Sequence, residues 1–124
     1  MLQNVRTITV RVSDQDRAVD FYVDMLGFEK IRDIPMGPDA RWIEVKPAGA
    51  QTSLVLSREG SAGDPGGFTG YIFDSENIQE TYETLNTKGV HFTVAPRSEP
   101  WGKWAQFADP DGNEFGIWAP PSAG

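Results

Sequence analysis

The same succession of elements is written twice along this chain, and that repeat limits its fold more than any other feature. Residues 6–12 alternate, with Ile8, Val10 and Val12 on one face and Thr7, Thr9 and Arg11 on the other, as a half-buried strand does. Ser13-Asp14-Gln15-Asp16 has capping-box spacing, and Ala18, Phe21, Tyr22 and Met25 then form one helical apolar stripe. Gly27 supplies a left-handed stop, and Phe28 re-enters the core. Strands are expected at about 29–34, 41–46 and 52–57, punctuated by Pro35-Met36-Gly37-Pro38 and Pro47-Ala48-Gly49. From 67–73 the order recurs. Asp74-Ser75 opens a helix carrying Ile78, Tyr82 and Leu85, Lys88-Gly89 closes it, and strands follow at about 91–95, 103–108 and 114–118. Asp14 precedes Tyr22 by eight residues and Asp74 precedes Tyr82 by eight. Pro47-Ala48-Gly49 before the fourth strand answers Pro110-Asp111-Gly112 before the eighth. A tandem strand–helix–three-strand unit follows, in one α+β domain spanning 1–124: module one about 5–59, a linker at 60–67, module two about 68–120.

Charge and composition remove whole classes of function. Lys and Arg number 11 against 18 Asp and Glu, a formal charge of −7, which opposes nucleic acid and anionic membranes and favours neutral or cationic small molecules. With no cysteine there are no disulfides, thiolate nucleophiles, zinc–thiolate sites or iron–sulfur clusters. No apolar run approaches the roughly 20 residues of a membrane span, and Met1-Leu2-Gln3-Asn4-Val5-Arg6 has no signal-peptide core, so a soluble cytoplasmic protein is expected. The glycines between 60 and 67 lack the Gly-Lys-Ser/Thr opening of a helix that a phosphate loop requires, and read as a flexible connector.

Val12-Ser13-Asp14, then Ala18-Val19-Asp20-Phe21-Tyr22 and Leu26-Gly27-Phe28, resemble the vicinal oxygen chelate superfamily of glyoxalase I, bleomycin-resistance and extradiol-dioxygenase proteins. Phe107-Ala108-Asp109-Pro110-Asp111-Gly112-Asn113 resembles the second half of the same signature, and together they cover about residues 5–120. The resemblance implies two βαβββ modules forming a cupped mixed sheet with helices on the convex side, and a homodimer. It also implies where metal-dependent members carry His, Gln or Glu ligands, here Thr7, Val55 (or its neighbours Leu54 and Leu56), Tyr71 and Gly116. None is a good transition-metal ligand, so neither metal nor other cofactor is expected. The single histidine, His91, has no His/Glu cluster beside it and reads as a strand-end residue. Asp109 and Asp111 fall short of a calcium shell and read as turn residues, and Ser53 and Ser57 have no histidine for triad chemistry.

Strand alternation gives the expected lining of the cup. Arg11, Trp42, Glu44, Tyr71, Phe73, Trp104, Gln106, Glu114 and Trp118 are the expected ligand-binding residues, with Trp101 as a rim or lid. Large aromatic faces with a few polar groups suit a small-molecule pocket, and suit a dimer interface as well. The expected function is metal-free sequestration of an aromatic or cationic organic compound, such as an antibiotic, in an acidic cup. The alternative is a lyase, isomerase or dioxygenase-like enzyme using Glu44 or Glu114 as base, or a recruited divalent metal. A small regulatory module with a vestigial pocket is a third reading.

Overall fold

The computed structural model describes residues 1–59 and 63–121, so residues 60–62 of the expected linker lie outside the described residues. The chain divides into two compact units, Met1–Pro65 and Gly66–Gly124. Each is a βαβββ module, and the fold class is α+β.

In the first unit β1 (Thr7–Arg11), β2 (Glu29–Pro35), β3 (Arg41–Lys46) and β4 (Ser53–Ser57) form a sheet in the order β1-β4-β3-β2. β1 runs parallel to β4, a pairing that needs a crossover, and the helix between β1 and β2 supplies it. That helix begins as α1 (Gln15–Val19) and widens into π turns over Asp20–Met25, with Leu26 N–H donating to the Phe21 carbonyl at 3.0 Å. Its cap is Asp14 and not Ser13: the Asp14 carboxylate accepts from Arg17 N–H at 3.1 Å. Ala18, Phe21 and Tyr22 of the helix and Val10, Ile43, Val45, Leu54 and Leu56 of the sheet are all buried, and α1 packs on β3 and β4. Buried Gln15 ties helix to sheet, its amide donating to the Arg41 carbonyl at 2.8 Å and the Leu56 carbonyl at 2.9 Å.

The second unit repeats this with β5 (Gly67–Asp74), α2 (Ile78–Thr87), β6 (His91–Glu99), β7 (Gly102–Ala108) and β8 (Asn113–Ala119), ordered β5-β8-β7-β6. The cap of α2 is Asn77, whose side chain accepts from Glu80 N–H, three residues beyond the expected Asp74. Its core is aromatic. Phe107 and Phe115 are buried, Phe73 lies 5.6 Å from Phe115 between ring centres, and Phe92 meets Tyr82 of α2 edge-on at 4.8 Å. The β7–β8 hairpin is built on Asp109, whose carboxylate accepts from Asp111 N–H, Asn113 N–H and the Asn113 amide, each at 2.9 Å. Gly112, at φ +80°, completes the turn.

Candidate functional site

Each sheet has one face under its helix and one face away from it. In the first unit the second face carries Thr7, Thr9 and Arg11 of β1 opposite Ser53, Val55 and Ser57 of β4. Glu44 of β3 stands opposite Val55 on one side and Arg32 of β2 on the other. Glu44 is only 2% exposed yet fully engaged: Trp42 Nε1 donates to its Oε1 at 2.8 Å, and Ser53 Oγ donates to its Oε2 at 2.9 Å. Arg32 Nε is 3.7 Å from Oε1. Burial alone would push this carboxyl up. The two hydrogen bonds, with the charges of Arg32 and Arg6, outweigh burial and hold it below its ordinary value. Sequence reasoning found Trp42 and Glu44 but missed Arg32 and Ser53 as their partners. Arg32 lies on a strand whose side chains are nearly all exposed, so no apolar alternation marked its face.

In the second unit Trp104 stands opposite Trp118, Gln106 opposite Gly116 and Ala108 opposite Glu114, so four expected site residues share one face. Trp104 Nε1 donates to Gln106 Oε1 at 2.9 Å. This is the Trp42–Glu44 arrangement again: a tryptophan whose indole N–H is held by the side chain two residues on, in the third strand of each module. Trp101 meets Trp104 edge-to-face at 5.7 Å, and Phe68 approaches it at 6.4 Å. Trp118 Nε1 donates to the Trp101 carbonyl at 3.2 Å.

Tyr71 and Phe73 are not on this face. Tyr71 stacks on Phe115 at 6.4 Å and Phe73 on Phe107 at 6.2 Å, both in the helix-side core. Phe68 and Ile72, each more than half exposed, stand instead opposite Glu114 and Gly116. The cause is the cap of α2. Matching Asp14 to Asp74 sets the repeat three residues out of step, since the true counterpart is Asn77. An odd offset moves every side chain of a strand to the opposite face.

The positions to which the resemblance assigns metal ligands do not fit a metal. Thr7, Val55 and Gly116 offer no imidazole or carboxylate, Tyr71 faces the core, and Ile72, which stands opposite Gly116 in its stead, is apolar. Among the described residues no three His, Asp or Glu side chains come together as a metal-holding group. His91 is exposed at the start of β6.

A cavity of about 440 Å³ opens elsewhere in the first unit, between the start of α1 and the β2–β3 loop, lined by Asp14, Asp16, Pro38, Asp39, Arg41 and Arg58 among others. None of the expected ligand-binding residues reaches it. Arg41 in its wall pairs with Asp16 at 2.5 Å and Asp33 at 2.7 Å. The hydrogen bond from Arg41 is the chief cause that holds the Asp33 carboxyl down at about 2.

The family described as the glyoxalase/bleomycin resistance protein/dioxygenase superfamily matches residues 4–117. The uncharacterized protein YetH of Bacillus subtilis (strain 168) is 40% identical over 116 residues, covering 93% of this chain and 97% of its own. Among solved structures, a superfamily member from Sphaerobacter thermophilus DSM 20745 is 41% identical with a TM-score of 0.88, covering 95% of this chain and 98% of its own. TnmS3, an antibiotic binding protein from Streptomyces sp. CB03234, is 39% identical with a TM-score of 0.88, covering 96% and 97%. No helix among the described residues is long and apolar enough to cross a membrane. Fold, signature and relatives agree: this chain belongs to the glyoxalase/bleomycin resistance protein/dioxygenase superfamily.

Proposed function

We propose that this protein is a cytoplasmic, metal-free, homodimeric binding protein that sequesters a planar aromatic compound, neutral or cationic. The observation that carries the reading is the pair of pinned indoles, Trp42 on Glu44 and Trp104 on Gln106. An indole whose N–H is already bonded has one orientation, so little freedom is lost when a ligand stacks on it. The description of TnmS3 as an antibiotic binding protein supports the same reading. The enzyme alternative needs a carboxylate that takes up a proton. Glu44 is poorly suited, because both its oxygens accept hydrogen bonds and its ionised form is favoured. The exposed Phe68, Ile72 and Trp101 support self-association, since monomers rarely leave such apolar surface open. Light scattering should therefore give twice the chain mass of 13.7 kDa, and a stable monomer at micromolar concentration would remove the dimer from this reading.

The test is a fluorescence titration with three planar probes, cationic 9-aminoacridine, neutral acridine and anionic anthracene-2-sulfonate. The first two should quench tryptophan emission and the third should bind weakest, because the protein carries −7. Trp104→Ala should weaken binding by about 1–3 kcal/mol. Zinc or nickel should change neither affinity nor melting temperature. No quenching and no thermal shift with any probe would sink the proposal, as would a metal-dependent gain in stability.

A further inference from the structure

Gly116 sits inside β8, between β5 and β7, where a glycine weakens a strand and needs a reason. Its backbone gives none, because it is not among the glycines with positive φ. The reason is above it. A Cβ at position 116 would lie 2.3 Å from Cη2 of Trp104, 2.7 Å from Cζ2 and 3.0 Å from Cζ3. The six-membered ring of the indole therefore rests directly on the β8 backbone, while its N–H end is held by Gln106, the residue opposite Gly116. The first unit lacks this seat. There the residue opposite Glu44 is Val55, a buried β-branched side chain.

Position 116 is also one where the family resemblance puts a metal ligand. Resting on the binding reading above, we infer that this position has become the seat of an aromatic floor, and that Gly116 is the specificity-determining residue that keeps Trp104 flat. The Trp104 ring takes the volume that any side chain at 116 would fill, so a donor at 116 and a flat indole exclude each other. Trp101 and Phe68 flank the same ring, so lifting it from the backbone disturbs all three aromatics at once. The ligand class that follows is one with an extended flat face, bound by stacking and without a metal bridge.

The experiment compares Gly116→Ala, Trp104→Ala and the double variant in the full chain. Without ligand, Gly116→Ala should lower the urea midpoint and alter the near-ultraviolet dichroism of the tryptophans. In the Trp104→Ala background the same change should cost far less, because the ring it strikes is gone. With 9-aminoacridine, Gly116→Ala and Trp104→Ala should each lose about tenfold or more in affinity, and the double variant little beyond either. Additive stability effects would overturn the inference, and so would wild-type affinity in Gly116→Ala. If Gly116→Ala does not fold, folding of the double variant supports the seat and failure of both overturns it. If the wild type binds no probe, the binding reading has failed, and the stability coupling still decides whether Gly116 seats Trp104.

Discussion

Replacing Phe115 with alanine is expected to cost about 3–5 kcal/mol of stability, the largest effect of any single truncation in the second unit. Phe115 is 0% exposed, with ring centres of Phe107 at 5.4 Å, Phe73 at 5.6 Å and Tyr71 at 6.4 Å. Removing it empties the middle of a stack whose members come from three strands, and rings that size cannot close the gap without moving the strands. Urea unfolding should show a lower midpoint with unchanged slope. Phe68→Ala is the control. Its ring is half exposed on the other face of the same sheet, so in the monomer, at chain concentrations too low for self-association, the change should cost less than about 1 kcal/mol. Equal costs for the two would mean that the faces of β5 and β8 are wrongly assigned.

That assignment separates what the sequence made legible from what it did not. The eight strands lie within a few residues of their expected places, because alternation and Pro/Gly turns are local signals that burial reinforces. β6 is the main exception, running on through Pro96 to Glu99. The Asp109–Asn113 hairpin was readable for the same local reason, its carboxylate and glycine being the turn's own chemistry. The face of β5 was not. Phe68, Tyr71, Ile72 and Phe73 are apolar on both parities, so only an external landmark could fix it, and the matched eight-residue spacings pointed to Asp74. The cap is Asn77, which a comparison of helix lengths alone does not reveal. One further signal lay open in the sequence: Trp42-Ile43-Glu44 and Trp104-Ala105-Gln106 occupy matching places in the two modules. A tryptophan and an acceptor two apart on a strand point the same way, so the indole-to-side-chain bond was predictable from spacing. The clearance over Gly116 was not, because nothing in sequence says how low an indole lies.

Glu44 gives the sharpest contrast between two substitutions. Glu44→Ala is expected to cost about 2–4 kcal/mol, because it strips the acceptor from Trp42 N–H and from Ser53 O–H in a site only 2% exposed. Glu44→Gln should cost about 1–2 kcal/mol, since an amide can still accept from Trp42 as Gln106 does from Trp104. The difference should depend on pH. A carboxyl held below its ordinary value in the folded state contributes stability that is present above its unfolded pKa and is lost as pH falls through the folded one. Wild type and Glu44→Gln should therefore converge in stability on acidification below the usual carboxylate range, and a constant gap down to strong acid would contradict the depressed carboxyl. The same variant divides the functional readings. If the protein binds by stacking, Glu44→Gln keeps the Trp42 indole in place and leaves the affinity for neutral acridine nearly intact, while the advantage of cationic 9-aminoacridine shrinks with the lost charge. If Glu44 were a general base, turnover would vanish in the amide variant with affinity unchanged for both probes. A carboxylate whose two oxygens hold Trp42 and Ser53 is spent on orienting an indole, and an amide can do that part of the work.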